Sequence, residues 1–442
     1  MAIRSNLTGY LEHDLASFAK TCHASRSCQR LLDVSYAKQN PFGRTWACLY
    51  QGAVYTTSAD RCMTGLVFQG CGICQSPPDR KDSFHRMVLT YNLFYRPSLD
   101  ACILLNCQDA PHLFLSEMQS GRLGVSYTGS PFSVDIPFPD YSTWEQYPQW
   151  LLQLEKQPPT PWREKMQRIV LVGGGTRNSH LRRVIFGGTC DHAFNHTGFI
   201  DMAGVPKGKN ASFGPRNSSD LRRLAFVPRL DLCRYKVIVL SEGHSRWLDH
   251  MKNMLLCKSL IVMLTSADEW LDTPEKRNAV AFRALNSAYG TLDRLLESDV
   301  THVEIRLNHS MPDMCSHAAH QLKMLLHRET EIQAIGARGE AAVRDHFSMQ
   351  AIYDYVDMLF QRLAAIQRAN RVNVSAFINQ HGGVEVTHEN YDEQTKRPYD
   401  ARLVKWRSRP PAGNYEGWHG AEGARVAVQA LQELVKRPRH II

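Results

Sequence analysis

The stretch YKVIVLSEG, residues 235–243, constrains the fold of this chain more than any other. It is a near-continuous apolar run that stops at a glycine. A strand apolar on both faces must be covered on both, which is the habit of parallel sheets with helices on either side. The next residues agree. Residues 246–257 carry a helical pattern, and SLIVML, residues 259–264, is a second apolar strand. Strand, helix and strand with short joints form a βαβ unit, so a parallel α/β sheet is expected.

RIVLVGGG, residues 168–175, reads as another strand of this sheet, and it runs into TRNSHLRR. Glycines let backbone N–H groups approach an oxyanion, and a helix N-terminus adds partial positive charge. Arg177, Arg182 and Arg183 add charge-assisted donors, with the hydroxyls of Thr176 and Ser179 beside them. The loop lacks the Gly-Lys-Ser/Thr ending of a P-loop, and Asn178 stands where a G-x-G-x-x-G pattern requires glycine. Taken alone it reads more simply as a glycine turn entering a basic surface helix.

The length of 442 residues suffices for two domains with full cores. EKQPPTPW, residues 155–162, reads as a linker between them. MVLTYNLFY, residues 87–95, reads as strand-like and ACILLNCQD as a buried strand with a polar exit. Residues 201–220 read as a polar loop. A long amphipathic helix is expected over 336–370, through Ile352, Tyr355, Val356, Leu359 and Leu363. The composition after about residue 380 is polar. The expected division is therefore 1–160, 161–380 and a polar appendage, 381–442, with two Rossmann-like halves that bind a nucleotide between them.

The net charge of +9 fits a phosphate-bearing ligand. The basic residues are dispersed without interleaved aromatics, so no nucleic-acid partner is expected. No apolar run approaches the roughly 18 residues of a membrane span. Twelve cysteines, seven of them between Cys22 and Cys102, accompany six N-x-Ser/Thr sequons at Asn6, Asn195, Asn210, Asn217, Asn308 and Asn373. Together they fit an oxidising compartment. The opening residues have no signal-peptide core. The expected location, the lumen of the endoplasmic reticulum or Golgi, then requires a signal that this chain does not carry. Cys71 and Cys74 have half the spacing of a zinc site without a second half. Cys315, His317 and His320 have ligand-like spacing, with a solvated helix face as the plainer reading.

Four segments in order resemble glycosyltransferase family 90, which includes fungal capsule-associated xylosyltransferases and protein O-glucosyltransferases of the Rumi type. NCQDAPH, residues 106–112, is similar to the family's N-V-R-D-Y-P-Q. DIPFPDYSTWEQYP, residues 135–148, is similar to D-I-x-F-P-D-W-S-F-W. GTRNSHLRR, residues 175–183, is similar to G-S-R-T-S-x-E-R-D. The stretch from Leu232 to Leu271 is similar to the family's C-K-Y-K…G…S-F-R-x-K…D-E-W-L. The resemblance runs from about Leu104 to Ala365.

It implies a GT-B fold and an inverting, metal-independent transfer of glucose or xylose from UDP-glucose or UDP-xylose to a hydroxyl of a protein or glycan. No cofactor beyond the donor is implied, and the sequence has no D-x-D metal motif. Asp109 falls on the catalytic aspartate. Gly175, Thr176, Arg177, Ser179 and Arg182 fall on residues that hold the donor diphosphate. Gly243, Arg246, His250, Asp268 and Glu269 lie on the donor side, the last two also reading as a helix cap. Tyr141 and Trp144 read as sugar- or acceptor-lining residues, or as core. Cys233 and Cys257 match family cysteines and are expected to form a disulfide across one βα unit. The sequence departs at His250, where the family has arginine, with Lys252 retained. It also lacks the acidic pair of E-R-D, with Leu181 and Arg183 in its place. Those losses leave a second reading open, a non-catalytic protein that binds a sugar or nucleotide.

Overall fold

The computed structural model describes residues 11, 15, 44–57, 79–106, 124–130, 135–173, 180–186, 189–195, 197–204, 223–224, 229–242, 248, 250–266, 290–308, 311 and 313–391. Among them are two six-stranded sheets.

The first sheet contains β1 (Arg44–Tyr50), β2 (Ala53–Thr57), β3 (Ala101–Asn106), β4 (Gly124–Ser126) and β5 (Asp135–Pro137), together with the last described strand, β12 (Gly383–Val386). It is mixed. β3, β4 and β5 run parallel, while β12, β2, β1 and β3 pair antiparallel.

The second sheet positions the candidate site. Its strands are β6 (Met166–Gly173), β7 (Ile200–Gly204), β8 (Arg223–Leu224), β9 (Tyr235–Ser241), β10 (Leu260–Ser266) and β11 (Val303–Leu307). All neighbours pair in parallel. The order across the sheet is β11-β10-β9-β6-β7-β8. Counted within the sheet, this is 3-2-1-4-5-6, the doubly wound Rossmann order.

Both faces are covered, as the apolar runs require. Alternate residues of β9 enter different cores: Val237 and Val239 join one, Ile238 and Leu240 the other. Leu181 and Ile185 of a helix at His180–Phe186, and Phe194 of a helix at Asp191–Asn195, line the first of these cores. The opposite core takes in Met251, Met254 and Leu255. That core is continuous with the first sheet through Tyr147 and Trp150, so the two α/β units pack directly on each other. Two hydrogen bonds reinforce the contact. Tyr147 Oη donates to Phe347 O at 3.0 Å, and Trp150 Nε1 donates to Asn253 O at 2.9 Å.

Several expectations are corrected. Residues 87–95 are helical, inside α1 (Asp79–Tyr95). A short apolar run does not distinguish a buried helix from a strand. Residues 201–204, expected at the start of a polar loop, belong to β7 (Ile200–Gly204). The long helix is two helices, α2 (Glu329–His346) and α3 (Met349–Ala369), because Ser348 caps the second by accepting the N–H of Ala351 at 3.2 Å.

The chain also returns to the first sheet, well before residue 380. On α3, Tyr355 Oη donates to Pro137 O at 2.5 Å. Gln367 bonds both backbone groups of Cys102, at 2.9 and 2.6 Å, standing in for a strand partner. Residues 383–386 pair with β2, and Tyr391 Oη lies 2.8 Å from Nδ1 of the buried His85. Periodicity shows that a helix has a buried face but not what covers it. β12 is a sheet edge with Glu385 exposed, so its composition resembles that of a tail.

Candidate functional site

In an open α/β sheet, ligands bind outside the carboxyl ends of the strands, where the strand order reverses. Here that point lies between β6 and β9. The two strands pair with Val172 opposite Leu240, so their carboxyl ends, Gly173 and Ser241, are neighbours. The loop that resembles a donor-diphosphate site leaves from Gly173. The EGHSR segment leaves from Ser241. Two segments singled out separately in the sequence therefore start side by side at the switch point.

Most of the expected donor contacts lie outside the described residues: Gly175, Thr176, Arg177, Ser179, Gly243, Arg246, Asp268 and Glu269. So does Asp109, which follows the carboxyl end of β3 by three residues. What is described is the frame beneath them.

Gly173 is required by packing. A Cβ there would lie 2.8 and 2.9 Å from the ring of Phe186, which is buried. Arg182, on the helix after the glycine loop, donates from Nη2 and Nε to Ser241 O at 2.9 and 3.3 Å. The helix is thereby locked to the end of β9. The Oγ of Ser241 is buried and has no hydrogen-bond partner among the described residues. Glu242 accepts the N–H of Ser266 at 2.9 Å and the Ser266 hydroxyl, tying the ends of β9 and β10 together just before Asp268 and Glu269.

His250 stands at the N-cap position of the short helix Met251–Leu255. Its Nδ1 lies 3.3 Å from Nη2 of Arg229. Arginine only donates, so Nδ1 is the acceptor of that pair. A guanidinium thus stands beside the position where the family that the sequence resembles has arginine. Sequence reading missed Arg229, Ser241 and Glu242. Only Ser241 and Glu242 carried a signal, as the polar end of an apolar strand.

Lys252 lies two residues after His250. Its ammonium contacts Asp140 Oδ2 at 2.8 Å, Asp140 Oδ1 at 2.9 Å and Ser142 Oγ at 2.6 Å. All three residues are buried. Asp140 also caps the helix Tyr141–Glu145, accepting from Thr143 N at 3.0 Å. This pair joins the second and fourth of the resembling segments across the two sheets. Tyr141 on that helix is half-buried, with its ring 5.9 Å from Tyr127. Trp144 is wholly buried in the core and presents no surface. Of its two readings, the structure supports core.

The expected Cys233–Cys257 disulfide is present, with a Cα separation of 4.8 Å. Below it Lys165 is buried. Its ammonium donates to Cys257 O and Ser259 Oγ, each at 2.9 Å, and to Cys233 O. Burial pushes its pKa down to about 7, with Lys258 adding like-charge repulsion. Cys48–Cys102 and Cys190–Cys315 are also bonded. Cys315 is therefore unavailable to a metal, and His317 and His320 lie on the exposed helix face. No cluster of metal-ligating side chains occurs among the described residues. No described helix is long and apolar enough to cross a membrane.

The fold defines an α/β protein with a parallel sheet in the doubly wound Rossmann order. No protein-family model matches the chain, and no curated protein matches it. Among solved structures it is similar to TarM at 11% identity, covering 45% of this chain and 36% of that one, with a TM-score of 0.31. It is similar to sucrose-phosphate synthase from Thermosynechococcus elongatus at 14% identity, 49% coverage of each chain and a TM-score of 0.30. It is also similar to HepE of Anabaena, solved in complex with UDP-glucose, at 11% identity, 49% and 52% coverage and a TM-score of 0.28. The chain spans between about a third and a half of the length of these three proteins. Likeness this distant assigns no family.

Proposed function

We propose that the chain is a GT-B glycosyltransferase related to family 90. It moves glucose or xylose from a UDP-sugar to a hydroxyl of a protein or glycan, with inversion and without a metal. The observation that carries this reading is that the glycine–arginine loop and the EGHSR segment leave from neighbouring strand ends at the switch point of a Rossmann-ordered sheet. The buried Asp140–Lys252 pair supports it, since it joins two more of the resembling segments.

In this mechanism Asp109 takes the proton of the attacking hydroxyl, a step typically worth about 10² to 10⁴ in rate. Arg177 and Arg182 stabilise the charge that develops on the departing UDP as preorganised donors. The guanidinium of Arg229, next to His250, adds positive potential on the same side. A lumenal location is part of the proposal, supported by the bonding of all six described cysteines.

Calorimetry with UDP tests the donor site. Wild type should bind, and Arg177→Ala should lose roughly 2–5 kcal/mol by removing one partner of a desolvated charge pair. Absence of UDP binding by the wild type refutes the reading. UDP release from UDP-glucose or UDP-xylose, compared between wild type and Asp109→Asn, tests the reaction. Turnover should be insensitive to chelator and should disappear in the variant, whose UDP affinity stays nearly intact. Binding without turnover on any acceptor favours the non-catalytic reading instead.

A further inference from the structure

We propose that Asn373 is an N-glycosylation site. The proposal rests on the lumenal location that forms part of the functional reading. The sequence offers six sequons, and the structure separates them. The side chains of Asn6, Asn195, Asn210 and Asn217 lie outside the described part. Asn308, directly after β11, is half-buried. Asn373 is exposed, at the junction between α3 and the next helix, Val374–Gln380.

The local hydrogen bonding makes Asn373 a competent acceptor. Its Oδ1 accepts the N–H of Ala376 at 2.9 Å and so caps the helix. With the carbonyl oxygen turned to the helix end, Nδ2 is the carboxamide atom directed away from it. Nδ2 is the atom that carries a glycan.

The co-reactant is an oligosaccharide carried on a polyprenyl diphosphate, delivered by the host's transferase. Nδ2 attacks C1 of the first sugar and an N–C bond forms. The C1–O bond to the diphosphate breaks, polyprenyl diphosphate leaves, and Nδ2 gives up one proton to a base. The product keeps its amide carbonyl, so a glycosylated Asn373 still caps the helix. Modification and fold are compatible at this residue.

The position also spares the donor side of the candidate site. The helix Val374–Gln380 packs on the first sheet, where Phe377 meets Trp46 edge-on with ring centroids 5.4 Å apart. The switch point belongs to the second sheet. A glycan on Asn373 therefore grows from the opposite unit.

The test uses the full chain, produced behind a cleavable secretion signal in eukaryotic cells. Peptide mass spectrometry before and after N-glycosidase F should find most copies of Asn373 modified and converted to aspartate by the enzyme. Ser375→Ala destroys the sequon while keeping the Asn373 cap, and should lose one glycan without a change in melting temperature. Ser375→Thr should retain it. An unmodified Asn373 peptide in secreted protein with intact disulfides overturns the proposal. In the endogenous protein, alkylation of Cys233 and Cys257 without reductant overturns the lumenal location and the proposal with it. UDP binding, measured separately, is unaffected by either outcome.

Discussion

Lys252→Met is the substitution whose outcome the structure fixes most closely. The ammonium of Lys252 is buried against both carboxylate oxygens of Asp140 and the hydroxyl of Ser142, 112 and 110 residues away in sequence. Methionine keeps the apolar stem and removes the charge. Asp140 is then left as an uncompensated buried carboxylate, and breaking a buried pair in this way costs about 3–5 kcal/mol. Asp140→Asn takes the paired carboxylate from the buried ammonium, at a similar cost. Asparagine is as good an N-cap as aspartate, so the cap on the helix Tyr141–Glu145 survives. The double variant Lys252→Met/Asp140→Asn has no buried charge, and removing both partners of such a pair is often near neutral. The double variant should therefore recover most of the loss of either single one. Urea unfolding followed by far-UV circular dichroism, read as a double-mutant cycle, measures this. The reasoning is refuted if Lys252→Met costs less than about 1 kcal/mol, or if the double variant equals the sum of the singles.

Three further outcomes come from the geometry. Gly173→Ala should cost at least about 1–3 kcal/mol, by overpacking against Phe186 and by placing a side chain at a φ of 157°, and Phe186→Leu should relieve the packing part alone in a thermal melt. Reduction of Cys233–Cys257, whose partners are 24 residues apart, should lower the unfolding free energy by about 3.5 kcal/mol in the chain-entropy account; a Cys233→Ser/Cys257→Ser variant that melts like wild type contradicts this. Lys165 has a folded pKa of about 7 against an ordinary value of 10.5, so within that window the unfolded chain holds a proton that the folded chain has released. Stability should then rise with pH, by about 2–3 kcal/mol between roughly pH 7 and 9, and Lys165→Met should flatten that rise in chemical denaturation.

Much of the second sheet was legible because its strands are buried on both faces. RIVLV, YKVIVL and SLIVML are dominated by apolar residues, and each became a parallel strand. β7 was not legible. IDMAG lies beside a polar stretch, and Asp201 is a buried acid satisfied only by the fold, through Arg168 at 3.0 Å and Tyr235 at 3.0 Å. The return of the chain to the first sheet was equally hidden. Gln367 reads as an ordinary helical glutamine until its amide is seen bridging the backbone of Cys102.

The candidate site divides in the same way, and the division bears on what a resemblance can mean. A short motif mixes residues that touch a ligand with residues that hold the others in place, and sequence alone does not separate them. Burial does. Asp140, Ser142, Trp144 and Lys252 belong to two resembling segments, yet all are buried. In this structure Asp140, Ser142 and Lys252 register one unit on the other. Asp140 caps the helix that carries Tyr141, and Lys252 lies two residues after His250, so one ion pair fixes that helix relative to the turn at His250. Arg182 is intermediate. It matches a donor-loop position of the family that the sequence resembles, and its guanidinium braces the end of β9 through Ser241 O, so a substitution there disturbs the frame. The departure at His250 is of another kind. His250 stands where the family that the sequence resembles has arginine, and Arg229, from a different element, presents its own guanidinium 3.3 Å away.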